Sequence, residues 1–504
     1  MRIKKGHNKM SAYILKNREV CWDKYIIEKT EGNFSLVMQK PVKKNEALVC
    51  DDVWESARCG WSAIMKVGDT YRLYYRTWGD VHEEGGAKEG FCVAESKDGK
   101  TFTKPKLCKF TLGGTKENNV FFKDEERFVD NFSVHYDENP DCPPDEKFKG
   151  LSLFFFRPPI KTEKGDRYAY LGYYKSADGL NFEKVGILDI PGVFDTYNVV
   201  FWDKDAKEYK MYMRDFHNAD GSTSTYEPTA AMEVAYRDFR LTTSKDFVHW
   251  SEPKMVEFSD GRIDIQHYTN QIYKYPRAEH MFVGVPVRYL KNDFDDKNFK
   301  YLPKWNGRRA KLIAEQNRVG TVNTDCTVIT SRDGFHFERS NEAFLAAELE
   351  REHNWKYGEG YTSHRTVETV SDENVAVNEL SFYMQEENGY GRGGNTIFFR
   401  YTLRLDGYFS WHGDFNGGTV TTKPVVFDGD SLEINFKTSA LGGVRIEILD
   451  EAGVPIEGYD SGRLFGNSLS RPVDFDAPLS ALAGKAVRLR ITLADADLYS
   501  FRFY

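Results

Sequence analysis

Short runs of apolar residues, bounded by Gly, Asp or Asn, recur along most of this chain. Residues 61–67 and 71–76 form one such pair, separated by Gly68 and Asp69, and similar pairs follow at intervals to about residue 384. Runs of this length with turn residues between them predict antiparallel strands. No long stretch with a period of 3.6 residues competes with that interpretation, so the sequence predicts an all-β protein.

A seven-residue phrase, Ser-x-Asp-Gly-x-x-Phe, marks a repeat of these strands. Intact copies begin at Ser96, Ser176 and Ser331, a variant without the Gly begins at Ser244, and a degenerate copy spans 405–408. The Asp-Gly pair suits a tight turn, and the aromatic residue packs the next strand onto the core. Each phrase follows two strand-like runs, and successive phrases are about 70 to 90 residues apart. We therefore predict a five-bladed β-propeller over residues 45–412.

The two ends of the chain have a different pattern. From residue 417 to residue 504 the aromatic residues thin out, and alternating runs such as 444–449 and 487–493 are separated by turn residues. This pattern predicts a C-terminal β-sandwich that braces the propeller, with sugar binding as the alternative role. We expect residues 1–44 to wrap the first or the last blade.

Composition excludes several classes of partner. The chain has 504 residues and a net charge of −8, which argues against nucleic acid and against an anionic membrane. Its seven cysteines include no Cys-x-x-Cys pair and fit reduced thiols. Neither a signal peptide nor a transmembrane run is recognisable. We therefore expect a cytoplasmic protein, and the sequence does not predict its oligomeric state.

Residues at the start of each innermost strand of a propeller converge on its axis, so they are the candidates for a site. The catalytic candidates are three carboxylates: Asp51, Glu55 and Asp195. The substrate-binding candidates add polar and aromatic side chains from all five blades: Trp54, Asp130, Asn131, Asn198, His267, Asn270, Arg288, His364 and Glu368.

Converging carboxylates suit the hydrolysis of a glycosidic bond. One carboxyl group protonates the leaving oxygen, while a second activates water or attacks the sugar, and crowding keeps one of them protonated. Each residue also has a structural interpretation, since Asp and Asn cap turns and Arg288 can pair with a carboxylate instead of an anionic substituent. His267 and His364 have no close His or Cys neighbour in the sequence, so we predict no metal and no cofactor.

Three motifs carry a resemblance to a known family: Asp51-x-x-Trp54-Glu55, Phe194-Asp195-Thr-Tyr-Asn198 and Tyr268-Thr-Asn270. In this order they resemble bacterial relatives of glycoside hydrolase family 32 and, more distantly, families 43 and 117. The resemblance implies a five-bladed propeller with a β-sandwich and a pocket that trims sugars from chain ends. It also implies one catalytic carboxylate from each of the first three blades, namely Asp51 or Glu55, then Asp130, then Asp195.

The family 32 signatures Trp-x-Asn-Asp-Pro-Asn-Gly, Arg-Asp-Pro and Glu-Cys are absent from this chain. Where those enzymes place a catalytic Glu in the third blade, this chain has Asp195. The resemblance therefore does not imply fructan specificity, and Glu55, Glu368 and a histidine remain alternatives for the catalytic acid.

Three functions remain open at this point. The first is an exo-acting glycoside hydrolase with an oligosaccharide substrate. The second is a propeller that binds carbohydrate without cutting it, which has no need of two carboxyl groups facing each other. The third is a glycoside phosphorylase, which needs several Arg, Lys or His side chains around a phosphate.

Overall fold

The computed structural model describes residues 12–16, 18–55, 59–77, 89–123, 130–162, 165–224, 234–291, 301–303, 321–350, 354–386 and 395–504. These residues form strands with two short 3₁₀ helices, Pro144–Glu146 and Leu479–Ala481. None of the helices in the described ranges is long and apolar enough to span a membrane. The chain divides into two compact units, one made of Pro41–Lys274 and Met281–Thr402 and the other of Met1–Lys40, Tyr275–His280 and Leu403–Tyr504.

The larger unit is a five-bladed β-propeller, as the sequence predicts. Each of the first three blades is a four-stranded antiparallel sheet in which the strands follow one another from the axis outward. Blade one has the strands Gly60–Val67, Thr70–Thr77, Gly90–Ser96 and Val120–Phe122. Blade two has Asp130–Tyr136, Phe148–Thr162, Gly165–Ser176 and Glu183–Leu188. Blade three has Val199–Asp203, Glu208–His217, Tyr236–Ser244 and Lys254–Met255.

The last two blades borrow strands from elsewhere in the chain. Blade four has the strands Tyr273–Lys274, Phe282–Gly284, Ile329–Ser331 and His336–Arg339, with Glu257–Phe258 added in parallel at the edge. A hairpin, Val287–Lys291 with Val322–Cys326, extends from it. Blade five has Tyr361–Thr362, Val367–Val370, Asn378–Glu386 and Thr396–Leu403, and its outer strand is Val42–Cys50. The first strand of the larger unit thereby joins the last blade and closes the ring of blades.

The repeated phrase forms the same turn in blades one to four. In each copy the Ser hydroxyl accepts from the backbone N–H three residues later, and the Asp carboxylate accepts from the two N–H groups that follow. The third residue after the Ser has a left-handed backbone, with φ of 72° at Gly99 and 67° even at Phe247. The fifth copy differs, because its Asp406 is fully buried and accepts from Arg18 and Arg277.

Hydrogen bonds between innermost strands tie neighbouring blades together near the axis. Ser133 bonds the backbone of blade three, and Thr196 bonds the backbone of blade four. Gln271 donates to Thr362 O at 2.7 Å, and the backbone N–H of His364 donates to Ser62 O at 2.7 Å. These bonds fix where each innermost strand begins, and those starting points position the candidate site.

The smaller unit contains a seven-stranded antiparallel sheet. Its strands are Arg18–Val20, Ile27–Met38, Phe409–Thr422, Leu432–Leu449, Pro455–Asp460, Asn467–Pro472 and Arg488–Phe503. The longest strands shift register in their middle, for example between Thr438 and Gly443, and both halves contribute side chains to one apolar core. The predicted boundaries at residues 44 and 417 differ from this division, because residues up to 40 and from 403 belong to one unit. The two-sheet form of the C-terminal sandwich stays a prediction.

Candidate active site

The innermost strands of the propeller all begin at one end, which we call the site end. The second strand of each blade returns to this end and the third strand starts there, because the strands are antiparallel. Five non-glycine residues at or near these starting points have a left-handed backbone: Trp61, Asn131, Phe194, Gln271 and Arg365, with φ of 49°, 55°, 60°, 49° and 69°. Such residues are uncommon and concentrate at functional sites, where a local kink redirects side chains.

A hydrogen-bonded chain links two carboxylates at the site end. Arg76 Nη1 donates to Asp130 Oδ1 at 3.0 Å and to Asn131 Oδ1 at 2.9 Å. Asn131 Nδ2 in turn donates to Asp195 Oδ1 at 3.2 Å. Asp130 and Asn131 begin the innermost strand of blade two, and Asp195 precedes that of blade three. The structure therefore brings together three of the residues that the sequence singles out.

Burial raises the pKa of Asp130 to about 6, from an ordinary value of 3.8. The Arg76 guanidinium opposes this shift, and the neighbouring Asp195 carboxylate reinforces it. A carboxyl group of this kind holds its proton well above the pH at which an exposed aspartate is ionised. It can therefore act as a general acid near neutral pH.

Aromatic rings lie next to this chain. The half-buried Trp61 stacks on Tyr268, with ring centroids 5.8 Å apart and an interplanar angle of 9°. Trp61 also makes a T-shaped contact with Tyr361, with ring centroids 5.2 Å apart. The Arg76 guanidinium carbon lies 5.3 Å from the centroid of the Trp61 ring. A flat apolar face beside polar groups is the usual surface for a ring-shaped ligand.

The first-blade candidates are held by a different cation. Lys104 Nζ lies 2.6 Å from Glu55, 2.8 Å from Asp52 and 3.2 Å from Asp51. Tyr75 donates to the other oxygen of Glu55 at 2.5 Å, so both oxygens of this buried carboxylate have partners. Burial raises the pKa of Glu55, although Lys104 and Tyr75 counteract that shift. Among the described residues no hydrogen bond or ion pair joins this cluster to Asp195.

These three first-blade carboxylates are also the one group in the described ranges whose spacing could hold a metal ion, since their oxygens lie within 4.8 Å of one another. The Lys104 ammonium already bridges them. Trp54, the predicted sugar platform, donates through its indole N–H to Asn119 at 2.8 Å and packs against the apolar core of blade one.

Two asparagine side chains that the sequence predicts to bind substrate instead donate hydrogen bonds to nearby backbone oxygens. Asn198 donates to Phe194 O at 2.9 Å and to Thr196 O at 3.1 Å. Asn270 donates to Tyr212 O at 3.3 Å. Both side chains are buried and fix the chain just before an innermost strand.

The two predicted histidines are buried and neutral. Burial lowers the pKa of His364 well below 6.5, and its Nε2 lies 3.1 Å from Ile272 O, next to His135 near the axis. Burial likewise lowers the pKa of His267. That ring stacks on Phe258 and lines a cavity of about 220 Å³ between blades three and four.

The remaining two candidates lie in other surroundings. Arg288 forms a bidentate ion pair with Asp325, with N–O distances of 2.7 and 2.6 Å. Glu368 lies on Val367–Val370, which pairs with the beginning of the strand Asn378–Glu386, whereas Tyr361 pairs with its end. Glu368 is therefore placed towards the end of the blade opposite the site end.

Sequence reasoning missed Arg76 and Trp61 as parts of the site. Arg76 lies next to the end of the second strand of blade one, and the innermost strand beginning at Gly60 carries Trp61. The antiparallel order of strands in a blade could have indicated Arg76, because the second strand of a blade ends beside the start of the innermost strand.

No family model matches the chain, and a search of curated proteins finds no relative. Solved structures with a similar fold include an N-acetylgalactosamine deacetylase from F. plautii in complex with blood group B trisaccharide. It is 9% identical, with 74% of this chain and 96% of that chain covered and a TM-score of 0.43. The Bombyx mori GH32 β-fructofuranosidase BmSUC1 is 11% identical, with 92% and 94% covered and a TM-score of 0.37. At these identities the likeness concerns the fold alone.

Proposed function

We propose that this chain is a glycoside hydrolase that acts on an oligosaccharide, with Asp130 as the acid and Asp195 as the nucleophile or base. The observation that carries the proposal is the hydrogen-bonded chain from Asp130 through Arg76 and Asn131 to Asp195. Glycosidic hydrolysis requires two neighbouring carboxyl groups, of which one donates a proton and the other attacks the sugar or activates water. Asp130 thereby takes the role that the sequence left open among Glu55, Glu368 and a histidine.

Each group has a defined part in the reaction. Protonated Asp130 gives its proton to the oxygen of the leaving sugar, and Arg76 then stabilises the carboxylate that forms. Asn131 bonds Oδ1 of Asp195, which leaves Oδ2 for a water molecule or for the sugar carbon. The half-buried Trp61 contacts the sugar ring.

We further propose that the enzyme is exo-acting, on the basis of the family resemblance, and that it works in the cytoplasm. All seven cysteines are free thiols, and six of them are buried. Free thiols are typical of proteins in a reducing compartment. An exo-acting enzyme releases monosaccharides from the first minutes of reaction, whereas an endo-acting one first releases internal fragments.

Incubation of the protein with a panel of oligosaccharides, followed by chromatography of the products, tests the proposal. We expect the wild type to release sugar and Asp195→Asn to lose about 10²–10⁴-fold in rate while keeping its fold. Asp69→Asn, in an exposed hairpin turn, is the matched control and should retain the wild-type rate. Binding of oligosaccharides without release of sugar would favour the binding propeller, and a normal rate for folded Asp195→Asn would remove Asp195 from the mechanism.

A further inference from the structure

Two buried arginines lie side by side at the site end of blade three. Arg214 is on the strand Glu208–His217 and Arg237 on its neighbour Tyr236–Ser244, where Arg237 pairs with Phe216. Each is only 1% exposed. Both guanidinium groups lie against the ring of Tyr268, with Cζ at 4.5 Å from the ring centroid for Arg214 and at 5.7 Å for Arg237.

The hydrogen bonds of these arginines are incomplete. Arg214 donates through Nη2 to the backbone oxygen of Tyr268, and Arg237 donates through Nη1 to Gln266 at 2.8 Å. Arg214 Nη1 and the Nε and Nη2 atoms of Arg237 have no hydrogen-bond partner among the described residues. Nor does either arginine form an ion pair with a carboxylate in those ranges.

Other arginines of the propeller are paired. Arg240, which shares a strand with Arg237, lies within 3.3 Å of both Asp215 and Asp238. Arg288 has its bidentate pair with Asp325. Arg214 and Arg237 differ from these two neighbours because neither has a carboxylate partner among the described residues.

A buried guanidinium group cannot relieve the cost of burial by losing its proton, since it stays charged in proteins. Buried charges are therefore normally matched by an opposite charge. Two adjacent cations with free N–H groups fit the planar, forked geometry that binds carboxylate, sulfate or phosphate groups.

Arg237 also has space beside it. It lines a cavity of about 220 Å³ together with His217, His267 and two carboxylates, Asp238 and Glu257. Asp238 is already bound by His217 and Arg240. Since one water molecule has a share of about 30 Å³ in the liquid, this volume holds a small charged group and part of a sugar ring. His267 Nε2 is buried and has no hydrogen-bond partner among the described residues, which adds a polar atom to the same cavity.

We propose that Arg214 and Arg237 form a binding site for an oxyanion at the site end of blade three. The oxyanion is either the acidic group of a sugar, such as a uronate carboxylate or a sulfate ester, or inorganic phosphate. The identity of the ligand as part of a glycoside substrate rests on the proposed function, whereas oxyanion binding itself does not.

Isothermal titration of the wild type with glucuronate, sulfate and inorganic phosphate, at constant ionic strength, tests this site. We expect saturable binding of at least one oxyanion and much weaker binding of glucose. Arg237→Gln should weaken that binding about tenfold to hundredfold, the usual effect of losing hydrogen bonds to a charged group. Arg237→Lys keeps the positive charge but loses the forked guanidinium group. Its affinity for the oxyanion should therefore lie between those of the wild type and Arg237→Gln.

Arg72→Gln is the matched control, because Arg72 is paired with Glu95 on blade one, and its binding should equal that of the wild type. Binding of glucuronate but not phosphate assigns the anion to the sugar, and the reverse assigns a free phosphate. No saturable binding of any oxyanion, or equal binding by the wild type and folded Arg237→Gln, would overturn the site. Hydrolysis of neutral oligosaccharides without binding of any oxyanion would contradict the oxyanion site but not the proposed function. Binding of an oxyanion without hydrolysis of any glycoside would contradict the proposed function but not the oxyanion site.

Discussion

Two groups of carboxylates differ in the partners that bind their oxygens. One group lies at the entry to blade one, and the other lies at the start of blades two and three. Lys104 reaches Asp51, Asp52 and Glu55 at once, and Tyr75 takes the remaining oxygen of Glu55. At the start of blade two, Arg76 contacts Asp130 through one nitrogen, and an amide, not a cation, contacts Asp195.

Under the proposed function, this difference distinguishes the first-blade carboxylates from the Asp130–Asp195 pair. A carboxylate whose oxygens are all bound by a lysine and a tyrosine has little capacity left for a substrate. A buried carboxyl with a raised pKa beside a partly free carboxylate can transfer a proton. A cluster of acidic residues therefore does not by itself identify a glycosidase site. The hydrogen-bond partners of each carboxylate oxygen determine whether that oxygen is available to a substrate.

Removing Lys104 should have the largest effect on stability. Lys104→Met leaves Glu55 buried without its counter-charge, and breaking such a pair costs about 3 kcal/mol. Urea denaturation at pH 7 measures the change. Lys106→Met, which breaks an exposed pair with Glu117, is the control and should leave the free energy of unfolding close to that of the wild type. Equal small effects of both variants would show that the first-blade cluster is not a structural ion pair.

Asp130 should make the stability of the protein depend on pH. Its pKa is raised on folding, so protonated Asp130 contributes stability that is complete below about pH 4 and is lost as the pH rises through about 6. Relative to Asp130→Asn, the wild type should lose about 2 kcal/mol between pH 4 and pH 7. Denaturation curves across this range measure the difference. Parallel pH profiles for the two proteins would contradict the raised pKa.

The two tryptophans should differ in their effect on substrate affinity. Trp61→Ala removes a half-buried ring at the site end and should raise KM about fivefold to tenfold, in line with about 1 kcal/mol for an aromatic contact. Trp54→Phe, which removes only the bond to Asn119, should leave KM unchanged. Steady-state kinetics on the sugar of the panel that is hydrolysed fastest measure both values of KM. A larger rise for Trp54→Phe than for Trp61→Ala would assign the sugar platform to Trp54.

The fold could be predicted from the sequence because it is encoded locally. The Ser-x-Asp-Gly turn needs only neighbouring residues, and its repetition marks each blade. The closing strand Val42–Cys50 could not be assigned in the same way, since it pairs with Thr396–Leu403, far along the chain.

The candidate site could be predicted in part. The rule that innermost strands begin near the axis selected Asp130, Asn131 and Asp195, which the structure brings together. The same rule selected Glu55, and no local pattern indicates that Lys104 binds it from across the blade. Partners that come from other strands depend on the tertiary fold, and the sequence of one loop does not contain them.

The pH dependence of kcat/KM for oligosaccharide hydrolysis tests the central claim most directly. If Asp130 is the acid, kcat/KM of the wild type should fall as the pH rises above about 6, because the proton is lost. Asp130→Asn should lower the rate about 10²–10⁴-fold and abolish the fall of kcat/KM above about pH 6. Glu55→Gln should keep both the wild-type rate and this fall. A decline that persists in folded Asp130→Asn, or that disappears in Glu55→Gln, would contradict the account.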